Sequence, residues 1–129
     1  MGRARLFLAL LLSAIGAGDA LAQAARCRFN GVRYCDGCVV DRRIIAPAGA
    51  VCGFNSQTSG ALLGHDVVVR PQLGVFGMAN ESQAAYRAGT TPGQDYFEYR
   101  VRWERLGRVN TVTVRNHVTV RPAGPPPRF

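Results

Sequence analysis

An all-β domain, two antiparallel sheets packed as a sandwich, is the fold class this sequence predicts, and three observations predict it. From Phe97 the side chains alternate, with Phe97, Tyr99, Val101 and Trp103 on one parity and Glu98, Arg100, Arg102 and Glu104 on the other. Successive strand side chains point to opposite faces, so this is a half-buried strand with an aromatic inner face. Beyond a turn at Arg105-Leu106-Gly107-Arg108, Thr111 to Arg115 alternates again. Short β-branched runs broken by Gly, Pro and Asn recur from Ile44 onward, with almost no helical periodicity among them.

The first 22 residues read as a secretory signal peptide. Arg3 and Arg5 make a basic start, Leu6 to Ala17 is apolar, and Ala20-Leu21-Ala22 gives a small-x-small cleavage site before Gln23. The apolar run is short of the roughly 20 residues a membrane helix needs. The expected protein is therefore exported, periplasmic or extracellular, and not an integral membrane protein. Residues 23–121 form one domain, and 122–129 a Pro-rich tail that cannot pair in a sheet.

Every basic residue is Arg. Removing Arg3, Arg5 and Asp19 with the leader leaves 14 basic and seven acidic residues, a balance of +7. A positive field favours anionic partners. The Arg residues are dispersed, however, and many alternate with Glu, so solvated pairs are the simpler expectation and no nucleic acid is expected. The partners left are another exported protein or an anionic surface polymer.

Cys27, Cys35, Cys38 and Cys52 fall within one N-terminal stretch. In an exported small domain an even count means a disulfide framework that staples the segment. Four cysteines allow three connectivities, and the sequence does not choose among them; Cys27–Cys35 with Cys38–Cys52 would make two local loops, and Cys35–Cys38 with Cys27–Cys52 a separate short pair. Cys35-Asp36-Gly37-Cys38 also invites a thiol–disulfide redox reading, but such pairs gain reactivity at a helix N-terminus, and Val39-Val40 and Ile44-Ile45 read as strand. The spacing fits zinc poorly. Val39 stands where haem attachment needs His. No metal and no cofactor is expected.

The short strands come in order. Ile44–Pro47 and Ala50–Phe54 flank an Ala-Gly turn, and Asn55–Gly60 is a polar loop. Asp66–Arg70 ends at Pro71, Gly74–Met78 carries Gly77 at an expected bulge, and Ala84–Arg87 is another strand. In the last strand Asn116 falls on the parity of Val112, Val114, Val118 and Val120, which predicts a bulge or a crossing point near Arg115–His117. His65, placed in a loop beside Gly64, and His117 are the only histidines. With no nucleophile in a recognisable elbow, catalysis is not expected. Arg100, Arg102, Arg115 and Arg121 would share the outer side of a hairpin as an anion-binding face. Asn80-Glu81-Ser82 is a glycosylation sequon only in a eukaryotic secretory host.

Tyr86, Pro92, Gly93, Asp95, Phe97, Tyr99, Val101, Gly107 and Thr111-Val112-Thr113-Val114 together resemble the C-terminal half of a bacterial Ig-like, cadherin-like sandwich repeat. The resemblance covers about half of the chain after residue 22. It implies a single Ig-like antiparallel sandwich, with Gly93, Asp95, Phe97, Tyr99 and Trp103 in structural roles and Asp95 capping the turn before the central strand. It also implies a structural or interaction role. The calcium sites of such repeats need clustered acids, which Asp66, Asp95 and Glu98 do not form in sequence. The expected function is thus an exported structural or interaction module without catalysis. Binding of anionic polymers or lipids by the Arg face is the alternative, and redox use of Cys35 and Cys38 a second.

Overall fold

A computed structural model describes residues 26–124. The expected signal peptide lies outside the described residues, as do residues 125–129 of the tail. Eight strands follow: β1 (Arg28–Phe29), β2 (Val39–Pro47), β3 (Val51–Asn55), β4 (Ala61–Val69), β5 (Val75–Met78), β6 (Gln83–Arg87), β7 (Gly93–Arg105) and β8 (Arg108–Arg121). No helix occurs among the described residues. One sheet has the order β1-β2-β8-β7-β4 and the other β3-β6-β5.

The two sheets enclose one core, and alternation explains its membership. Phe97, Tyr99, Val101 and Trp103 of β7 are buried, as are Val112, Val114, Val118 and Val120 of β8. From the smaller sheet Cys52, Phe54, Ala84 and Tyr86 meet them. The Tyr86 ring stacks on Phe97 at 4.9 Å between centroids, and Phe76 on Tyr99 at 5.0 Å. Such offset pairs contribute about 0.5–1.5 kcal/mol each beyond the area they bury.

The β7–β8 hairpin closes where the sequence predicted. Arg105 pairs with Arg108, and Leu106 (φ 52°) and Gly107 (φ 75°) make the two-residue loop. Two left-handed residues are the signature of a type I′ turn, whose twist matches the flanking strands. Leu is poorly suited to that backbone, and its side chain is 92% exposed, so packing does not compensate. Leu106→Asn should stabilise the protein by about 1 kcal/mol and raise Tm by about 4–8 °C in a thermal melt. An unchanged or lower Tm would show that Leu106 supplies something its exposure denies.

Four expectations need correction. The domain is not wholly antiparallel: β2 pairs with β8 in parallel, from Val39↔Thr113 to Pro47↔Arg121. The chain leaves β2 by the Ala48–Gly49 turn into the smaller sheet, which supplies the crossover that parallel pairing requires. Asn116 causes no bulge, because the β7–β8 and β2–β8 registers run through it unbroken. Gly77 also sits in continuous register with Ala85. The irregularities fall instead in β4, between Leu62 and Gly64 and between Val67 and Val69. Finally, His65 is not in a loop but in β4, half-buried opposite Val101.

Candidate functional site

Cys27 bridges to Cys52, and Cys35 to Cys38, so of the three connectivities left open one is realised. The first bridge ties the chain just before β1 to β3 of the other sheet. The second closes a turn through Gly37 (φ 74°) that docks on β8. There Gly37 N–H donates to the Thr111 carbonyl (2.7 Å), and Thr111 N–H donates to Asp36 Oδ1 (2.9 Å). Together the bridges hold residues 27–38 over one end of the core.

Under that segment lies a cleft of about 540 Å³, lined in part by Phe29, Tyr34, Phe54 and Trp103, with Asn55, Gln57 and Thr58 on its polar side. Arg42 also lines it and is only 4% exposed. β2 puts Arg42 there by parity, since Ile44 and Ala46 on the same side are core residues. Its Nη1 donates to Tyr99 Oη (2.7 Å) and Asn116 Oδ1 (3.3 Å). Asn116 Nδ2 in turn donates to the carbonyls of Phe97 and Val114, each at 3.3 Å. The guanidinium carbon lies 4.5 Å from the Phe54 ring centroid and 5.6 Å from that of Phe29. Burial pushes the Tyr99 phenol up to about 12, with Arg42 pulling it down and the Tyr34 hydroxyl adding to the rise.

No carboxylate pairs with Arg42 among the described residues, and its Nε is buried without a hydrogen-bond partner. Burying a lone cation costs several kcal/mol. Each charge-assisted hydrogen bond returns about 1.5–3 kcal/mol, and a cation–π contact up to about 2. Those contacts hold the charge in place, while the orphan Nε still costs about 1–3 kcal/mol.

Two other depressions are larger. One, of about 620 Å³, lies beside Asp41 and His117, and the other, of about 720 Å³, runs from Leu62 to Ser82. The first is an exposed ion-pair cluster. The second has His65 on its wall, with Nδ1 unpartnered and Nε2 2.7 Å from Ser56 Oγ. Burial lowers the His65 pKa, opposed by Asp66, so the ring is neutral at physiological pH. That is a serine–imidazole contact missed from sequence, because Ser56 and His65 meet only across the β3–β4 connection. Among the described residues no carboxylate orients Nδ1: the Asp66 carboxylate takes Arg102 Nε at 2.8 Å instead.

The four Arg residues proposed as a face do share the outer side of β7 and β8, but two are neutralised. Arg102 pairs with Asp66, and Arg115 is bidentate to Asp41 at 2.9 and 3.0 Å, with His117 on the same carboxylate. Hydrogen bonds from Arg115 and then His117 hold the Asp41 pKa down at about 2. The partners are thus aspartates of β4 and β2, not Glu98 and Glu104. Arg100 and Arg121 make no ion pair among the described residues.

Phe97, Tyr99 and Trp103 are core, and Gly93 opens β7. Asp95 does more than cap a local turn. Its carboxylate, 7% exposed, accepts from the N–H groups of Gln72, Gly74 and Tyr96 (2.9 Å each) and from Tyr86 Oη (2.6 Å). Burial works against ionisation, but these four donors outweigh it and hold the pKa below the usual range. The fit around it is tight, for a Cβ on Gly74 would come within 2.5 Å of the Tyr86 ring.

No group of three or more His, Cys, Asp or Glu suited to a metal occurs among the described residues. No protein-family model and no curated protein sequence matches the chain.

Proposed function

We propose that this chain is an exported, non-catalytic interaction module built as an Ig-like sandwich, and that it engages its partner through the cleft over Arg42. The observation that carries this reading is the buried, carboxylate-free guanidinium beneath an aromatic-lined cleft of ligand size. Two bridges among four cysteines suit an oxidising compartment. No helix of the described residues is long and apolar enough to cross a membrane. The Arg-face alternative has lost two of its four charges to Asp66 and Asp41. The redox alternative has a Cys35–Cys38 turn that abuts strand rather than a helix N-terminus.

Trp103 is the single tryptophan and lines the cleft, so its emission reports occupancy. In a small-fragment screen, hits that change Trp103 emission and raise Tm are expected, and Tyr34→Ala should weaken them. Retention on heparin or on phosphatidylglycerol vesicles should be weak and the same in Arg100→Gln/Arg121→Gln. Strong retention that disappears in that double variant, with no fragment perturbing Trp103, would replace the cleft by the outer face.

A further inference from the structure

We infer that the cleft takes a monocarboxylate carried on an apolar or aromatic body, bound through the free edge of Arg42. The inference rests on the cleft being the recognition surface. A guanidinium offers a carboxylate two forked edges. In Arg42 the Nη1 side is occupied, by Tyr99 and Asn116. Among the described residues Nε is buried without a partner, and the hydrogen bonds the guanidinium makes both come from Nη1, so Nη2 makes none. The free pair is therefore Nε with Nη2, the side-on fork whose parallel N–H bonds match the two oxygens of one carboxylate.

Charge selects the same ligand. Two cations line the cleft, Arg33 exposed at its rim and Arg42 buried at its base, and no acid pairs with Arg42 among the described residues, so a monoanion on Arg42 leaves the buried part of the recess neutral. A dianionic phosphate would leave a buried negative charge, which is costly when unpaired. The walls select the rest of the molecule. Phe29, Phe54, Tyr34 and Trp103 offer aromatic surface, while Asn55 and Thr58 supply a limited polar rim. Nε lies below the surface, so the acid must displace whatever covers it. Phe29 is the neighbour able to shift while remaining a wall of the cleft: it is 41% exposed, its ring centre stands 5.6 Å from the guanidinium carbon, and its two-residue edge strand is tethered two residues upstream by Cys27–Cys52.

The test is on the ligand side first, so it does not depend on a variant folding. 3-Phenylpropionate and its amide are titrated into the wild-type protein at neutral pH, following Trp103 emission and Tm. The acid should bind saturably and the amide about 10- to 100-fold more weakly, the difference expected for hydrogen bonds to a charged group. Phenyl phosphate should bind more weakly than the acid, and glucuronate, which lacks the apolar body, likewise. N-acetylphenylalanine separates two sources of the same group: tighter binding than phenylpropionate assigns a peptide chain end, weaker binding a free acid. Arg42→Lys keeps the charge without the fork and should lose the preference for acid over amide. An amide that binds as well as the acid would overturn the carboxylate while leaving the cleft standing. If none of these compounds perturbs Trp103 and heparin retention depends on Arg100 and Arg121, the cleft falls too.

Discussion

Asp95→Ala should cost about 3–5 kcal/mol, the loss expected when a buried, hydrogen-bonded charge is removed from its partners. Small domains hold only about 5–15 kcal/mol in total, so the variant would be marginal. The carboxylate ties the β4–β5 connection to both sheets at once. Gln72 and Gly74 lie on the β4–β5 connection, Tyr86 on β6 of the smaller sheet, and Asp95 itself on β7 of the larger one. Truncation leaves two loop N–H groups and a buried phenol without an acceptor. Asp95→Asn keeps the shape but turns an NH₂ donor towards N–H or O–H donors, and should cost about 2–3 kcal/mol. The pH dependence has a definite sign. The folded pKa lies below the unfolded one, so the contribution is full above the unfolded value, about pH 4. It is lost as pH falls through the folded value. Urea denaturation of wild type and Asp95→Asn should therefore show a gap that is widest near neutrality and narrows in acid. Full stability in Asp95→Ala with a defect only in ligand binding would assign Asp95 to recognition instead of architecture.

The hairpin was legible because its signal is local. Alternation over Phe97–Trp103 and Thr111–Arg115, with a Gly-containing turn between, needs no knowledge of the remaining chain. Burial follows that parity residue by residue. The cleft was not legible, yet its mark was in the sequence twice. Arg42 breaks the apolar parity of Val40, Ile44 and Ala46, and Asn116 breaks that of Val114 and Val118. Each looks like a defect in its own strand. Only the parallel register sets Arg42 opposite Asn116 and makes them one hydrogen-bonded rung. Parallel pairing depends on a crossover through the other sheet, which no local pattern announces. For the same reason Asp41 and Asp66, rather than the glutamates of β7 itself, neutralise Arg115 and Arg102. Their strands flank the hairpin at positions that tertiary pairing alone decides.

Removing the Cys27–Cys52 bridge should cost about 3–4 kcal/mol, and removing Cys35–Cys38 about 2 kcal/mol or less, because loop-closure entropy grows with the length of chain enclosed. The first encloses a separation of 25 residues and the second only 3. The larger effect also has a functional side. β1 is two residues long and, among the described residues, pairs with β2 alone, through Arg28↔Ile45 and Phe29↔Ile44. Without the bridge two residues upstream, little else holds Phe29 against Phe54, a contact of 4.8 Å between ring centroids. The wall of the cleft then opens and Arg42 meets water. The exposed Cys35–Cys38 turn keeps its backbone bonds to Thr111 and Thr113 whether or not the sulfurs are joined. Urea denaturation of Cys27→Ala/Cys52→Ala and Cys35→Ala/Cys38→Ala, followed by Trp103 emission, measures the stability terms. A fragment that binds the wild-type cleft measures the rest: its binding should be lost in the first variant and kept in the second. Equal stability losses would contradict the loop-length argument. Intact binding in the Cys27→Ala/Cys52→Ala variant would show that Phe29 is not a wall of the site. Binding lost only in the Cys35→Ala/Cys38→Ala variant would move the site to the other bridge and revive the redox reading.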